Sequence, residues 1–239
     1  MLLQKGQTMG EWIELEALDG EGRFAAWQAR PEGGGKAAII VIQEIFGVNP
    51  EIRGKAESWA EKGYLAIAPD MFWRFAPRYE ADPDVPEQRD HAMQIRAQFD
   101  LEKAARDVEV AIRYARALGA SKIGVIGFCA GGSVAYLAAT RTDVDASVGY
   151  YGRLIVDHLN EAHAIARPVL LHFGVEDPSI PAEIREKIHR GLESHPRVTI
   201  HDYAGAGHGF AATSGRRRNE EAAALADRRT EEFFAKHLC

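Results

Sequence analysis

The sequence has only two cysteines, Cys129 and Cys239, 110 positions apart in a chain of 239 residues. Such a pair makes neither a disulfide framework nor the paired spacing of a zinc site. No apolar run approaches the roughly 20 residues that a membrane span requires. Residues 1–10 hold three apolar side chains before Met9 and lack the apolar core of a signal peptide, so a reducing, cytoplasmic setting is expected, with a loose N-terminal tail and either Met1 or Met9 as the start. A net positive charge is lacking as well. The formal net charge is −6, and basic residues cluster only in Arg216–Arg218, which leaves no electrostatic footprint for nucleic acid. No G-x-G-x-x-G opens a helix, and Gly33-Gly-Gly-Lys36 lacks the spacing and the Ser/Thr of a phosphate loop. His201 and His208 are seven apart with no H-E-x-x-H. The expected cofactor and metal are therefore none.

With 46% hydrophobic and 27% charged residues, the chain can bury a substantial core, and a single domain over residues 1–239 is expected. Residues 11–18 and 23–29 read as an antiparallel hairpin around Asp19-Gly-Glu-Gly22. Five short, continuously apolar runs follow at 37–43, 64–68, 122–128, 146–151 and 168–173, with a last strand at 197–203. Continuous apolarity is the mark of parallel strands covered on both faces. Helical patterns separate them at 50–62, 86–118 with a break near Phe99, 130–140, 181–193 and 217–237. The alternation predicts an α/β architecture, a mostly parallel central sheet with helices on both faces.

Ligands of such sheets sit beyond the carboxyl ends of the strands, which directs attention to the segments that follow each one. Lys122-Ile-Gly-Val-Ile-Gly-Phe-Cys-Ala-Gly-Gly-Ser133 passes from an apolar run into a helical one through G-x-C-x-G, the pattern of a nucleophile elbow with a thiol in place of a hydroxyl. A sharp strand-to-helix turn brings the apex close to its neighbours, so Gly127 and Gly131 can carry almost no bulk. The helix N-terminus would favour a thiolate and supply oxyanion donors. The bland alternative is a tightly packed glycine turn with an inert cysteine. Two further groups follow strand ends, Asp177 after 168–173 and His208, flanked by glycines, after 197–203. Nucleophile, acid and histidine thus occur in the chain order of α/β-hydrolase triads. Glu176 is the rival orienting acid. His189 and His201 do not lie just beyond a strand end.

Six segments together resemble the dienelactone hydrolase (carboxymethylenebutenolidase) family of α/β-hydrolases, from about Trp12 to Phe234. They are Gln43-Glu-Ile-Phe-Gly47, Ala68-Pro-Asp70 with Arg74 nearby, Gly127-Phe-Cys-Ala-Gly131, Val148-Gly-Tyr-Tyr-Gly152, Gly174-Val-Glu-Asp177 and Ala206-Gly-His-Gly-Phe210. The resemblance implies Cys129 as nucleophile, His208 as base and acid, Asp177 as its orienter and Glu44 as a carboxylate beside the thiol. It also implies backbone N–H groups of Ile45 and Ala130 as the oxyanion hole, with Arg74, Tyr151 and Phe46 contacting substrate. Arg78, close to Arg74, is its rival. An ionised Glu44 would discourage a thiolate until a substrate carboxylate displaced it from a resting partner such as an arginine, which would gate attack. One departure stands out. The family's second carboxylate-binding arginine, a few residues after the histidine, is Ala212 here, and Arg216–Arg218 are the candidates to replace it. The expected activity is hydrolysis of a small anionic lactone or ester by a monomer or small homo-oligomer. A general short-chain carboxylesterase is the alternative within the class, and a non-catalytic ligand or redox sensor on the same fold the alternative outside it.

Overall fold

The computed structural model describes residues 10–239. The N-terminal tail and the choice of start codon lie outside the described residues, Gly10 excepted. Eight strands form one sheet in the order β1-β2-β4-β3-β5-β6-β7-β8: β1 Glu11–Glu16, β2 Arg23–Ala29, β3 Ala37–Ile42, β4 Leu65–Pro69, β5 Lys122–Phe128, β6 Ala146–Tyr150, β7 Val169–Gly174 and β8 Val198–Tyr203. The hairpin β1–β2 is antiparallel and joins β4 antiparallel, whereas every pair from β4 to β8 is parallel. Among the described residues there are six α-helices: α1 Pro50–Glu61, α2 Pro86–Arg96, α3 Leu101–Ala117, α4 Ala130–Arg141, α5 Ala182–Leu192 and α6 Glu220–Leu238.

The continuously apolar strands are covered on both faces. Ile39 and Val41 of β3 belong to a core with Trp59 of α1 and Phe234 of α6. The alternate residues Ala38, Ile40 and Ile42 pack with Val108 and Ile112 of α3 and Val134 of α4. Period-two alternation sends successive side chains to opposite faces, so one strand feeds two cores.

Strand boundaries agree with the sequence reading to within one residue at most ends. The break near Phe99 separates α2 from α3, where Asp100 caps α3 by accepting from the Glu102 and Lys103 N–H groups. Two differences have physical causes. The last helix starts at Glu220 rather than Arg217, because Asn219 caps it by accepting from the Ala222 N–H at 3.1 Å. Between β6 and β7, where no regular element was expected, two short 3₁₀ turns run over Arg153–Ala164, kinked at His158 (φ −123°).

Candidate active site

The ends of β3, β5, β6, β7 and β8 converge on a cleft of about 520 Å³. At the end of β5 the chain turns through Cys129, with φ 54° and ψ −116°, directly into α4. A non-glycine residue in this region is strained, and the surrounding packing must hold it there. The packing is tight enough to do so. A Cβ on Gly127 would lie 1.9 Å from the Gly131 carbonyl oxygen, and one on Gly131 would lie 2.5 Å from that of Gln43. Hydrogen bonds from Cys129 N–H to the Tyr150 carbonyl (3.1 Å) and from Gly132 N–H to the Cys129 carbonyl (3.0 Å) fix the turn. The sulfur is thereby set in the cleft at the positive end of a helix.

His208 enters from the loop after β8. Its Nδ1 is 2.7 Å from Asp177 Oδ2. The Asp177 side chain is wholly buried, and its other oxygen accepts from the Ser179 N–H at 2.7 Å. That second bond fixes the carboxylate, which in turn fixes the ring. Burial opposes a charge on His208, but the Cys129 sulfur beside it and the Asp177 carboxylate outweigh burial and push its pKa up to about 10. The rivals are placed elsewhere. Glu176 is exposed and its N–H bonds to the Ala206 carbonyl. His189 faces Asp202 at 3.1 Å, and His201 lies within β8.

Glu44 is buried on the β3 side of the cleft. Its Oε1 accepts from the Tyr151 hydroxyl at 3.2 Å, and its Oε2 from Arg217 Nη1 at 2.7 Å. Tyr151 is also held at positive φ (40°). Burial, and then the neighbouring Glu44 charge, push its phenol well above the usual range, so it serves as a hydroxyl donor. Arg217 stacks over the Phe46 ring at 5.2 Å. Ile45 and Ala130 line the same cleft, and among the described residues their N–H groups donate to no acceptor.

The geometry corrects the expectation for Arg74. Its guanidinium is bound by Asp19 (2.5 Å), Glu21 (2.7 Å) and Asp107 (2.5 Å) and stacks on Trp73 at 4.2 Å. Those carboxylates saturate its donors and use it to pin the β1–β2 turn to α3, away from the cleft. Arg78 points instead at the Trp12 ring (4.5 Å). Ala212 is buried. The arginines that line the cleft are Arg89, Arg96, Arg153 and Arg217. Of these, only Arg217 was among the residues singled out in the sequence. The others sit at the spacing of an ordinary solvated helix face or in the unanticipated 3₁₀ segment.

Residues 24–238 match the dienelactone hydrolase family. The chain belongs to that family. It is 38% identical over 227 residues to the carboxymethylenebutenolidase of Pseudomonas putida, a match covering 94% of this chain and 96% of that protein. It is 34% identical to carboxymethylenebutenolidase 1 of Cupriavidus pinatubonensis, covering 95% and 97%. Among solved structures, the putative dienelactone hydrolase of Klebsiella pneumoniae superposes with a TM-score of 0.79 at 28% identity, covering 95% of this chain and 99% of that one. The architecture is the α/β-hydrolase fold, and the chain is a hydrolase of the dienelactone hydrolase family. Among the described residues, no group of three or more His, Cys, Asp or Glu side chains is arranged to hold a metal ion, and no helix is long and apolar enough to cross a membrane.

Proposed function

We propose that this dienelactone hydrolase family member cleaves a small anionic lactone or ester by covalent catalysis at Cys129. The observation that carries the reading is the chain of contacts from buried Asp177 through His208 to a strained cysteine at a strand-to-helix elbow. The reacting pair is the Cys129 thiolate and the His208 imidazolium. Sulfur attacks the substrate carbonyl, the new S–C bond sends an electron pair onto oxygen, and the Ile45 and Ala130 N–H groups receive that charge. Collapse breaks the C–O bond while His208 gives its proton to the departing alkoxide or enolate. Water then loses a proton to the neutral imidazole and attacks the thioester, and expulsion of the thiolate restores the pair.

Arg217 takes the part that the sequence reading gave to Arg74. Its Nη2 is buried with no hydrogen-bond partner among the described residues, Glu51 standing off at 3.6 Å. An unpaired buried donor is costly, and a substrate carboxylate would satisfy it. Such a carboxylate would compete with Glu44 for the guanidinium and free Glu44 towards the thiol, which supports the gating expected from the sequence.

The test is hydrolysis of cis- and trans-dienelactone beside p-nitrophenyl acetate, by wild type and Cys129→Ala. The expected result is faster turnover of the anionic lactones, with all hydrolysis abolished in the variant. Preference for the neutral ester would favour the general carboxylesterase, and near wild-type turnover by Cys129→Ala would remove the covalent mechanism.

A further inference from the structure

The cleft carries more positive charge than a single substrate carboxylate uses. Four arginines line it against one carboxylate, Glu44, in a chain whose net charge is −6. Arg217 is engaged with Glu44 at 2.7 Å, and Arg89 has Asp90 at 4.0 Å. Arg96 and Arg153 have no carboxylate within ion-pair distance among the described residues, although both line the cleft. Arg153 is half-buried. A guanidinium partly withdrawn from water without a counter-ion loses hydration with no compensating contact, so packing alone gives no reason for it.

Position sharpens the point. Arg153 follows β6, Glu44 follows β3, and β5 with Cys129 at its end runs between them. Arg153 therefore stands on the far side of the sulfur from the Glu44–Arg217 pair. With strands spaced about 4.8 Å apart, the ends of β3 and β6 are roughly 10 Å apart, far enough for groups following them to flank both ends of a short carbon chain or one ring that carries a carboxylate at each end. On α2, Arg96 lies seven residues after Arg89 and three after Met93, so the three share one helix face towards the cleft. Met93 is half exposed, at 50%, and offers apolar surface between the charges.

We propose that Arg153 and Arg96 form a second anion subsite, and that the substrate is a dianion, a lactone or ester with acid groups on both sides of the scissile carbonyl. One carboxylate is held by Arg217 and the other by Arg153 and Arg96. This rests on the anionic-substrate reading above. Two probes that differ only in the second charge, hexanoate and adipate, test it by calorimetric titration of the wild-type protein. Adipate should bind roughly ten- to a hundredfold more tightly, the effect of one added charge-assisted contact. That advantage should vanish in the double variant Arg96→Gln/Arg153→Gln. Equal affinities in the wild type, or an adipate advantage that survives in the double variant, would overturn the second subsite. The titration does not depend on turnover. A protein that discriminates the two acids yet hydrolyses neither lactones nor esters would refute the hydrolytic reading alone.

Discussion

His208 concentrates the electrostatics of the site. Its pKa rises from an ordinary 6.5 to about 10, which means that the fold favours the charged ring. Stability from this group is fully present below pH 6.5 and is lost as pH rises through about 10, so unfolding stability should decline across that window. Cys129→Ala removes the sulfur that contributes most to the rise. NMR titration should then find the His208 ring in the variant losing its proton at a clearly lower pH than in the wild type, with a shallower decline in stability. An unchanged titration would mean that Asp177 alone sets the pKa. Arg74 makes a different point at the same scale. An arginine placed by motif alone cannot be assigned a partner, because the carboxylates that claim it, Asp19, Glu21 and Asp107, come from distant parts of the chain.

Among the elements, the β5–α4 turn sets the sulfur. A Cβ at Gly127 would collide with backbone at 1.9 Å, and backbone cannot rotate aside as a side chain can. Gly127→Ala should force α4 away from the sheet, lowering stability by about 1–3 kcal/mol and activity by at least roughly tenfold. Gly54→Ala is the matched control. It lies inside α1, where an added Cβ meets nothing within 4 Å, and should instead raise the melting temperature through helix propensity. Thermal unfolding and kcat/KM of the two variants check both outcomes. The strand-to-helix turn was legible in the sequence because glycines at fixed spacing around Cys129 carry a steric signal, as continuous apolar runs do for buried parallel strands. The 3₁₀ segment Arg153–Ala164 was not legible. It has one fully buried side chain, Ile155, and so little of the periodicity that core packing imprints on a sequence. Arg153 and Arg96 escaped notice for a related reason. Exposed or half-buried arginines on such elements look like solvated charge until the fold turns them towards one cavity.

On the scale of the whole molecule, the chemistry exists only through the sheet. Glu44, Cys129, Asp177 and His208 follow β3, β5, β7 and β8, separated by up to 164 positions in the chain. Parallel crossovers bring these strand ends to one edge, and the arginines around that edge make the cleft cationic in an acidic protein. A field of this kind draws anions to the site. The central claim is that the assembled edge delivers a carbonyl to the Cys129 sulfur and that a thioester forms there. Mass spectrometry of the intact protein, acid-quenched during turnover of p-nitrophenyl acetate, tests this directly. The account predicts an added mass equal to one acetyl group, mapped to Cys129 by peptide fragmentation and absent from Cys129→Ala. Active turnover with no modified Cys129 at any quench time, or acetyl carried by another residue on the reaction path, would contradict it.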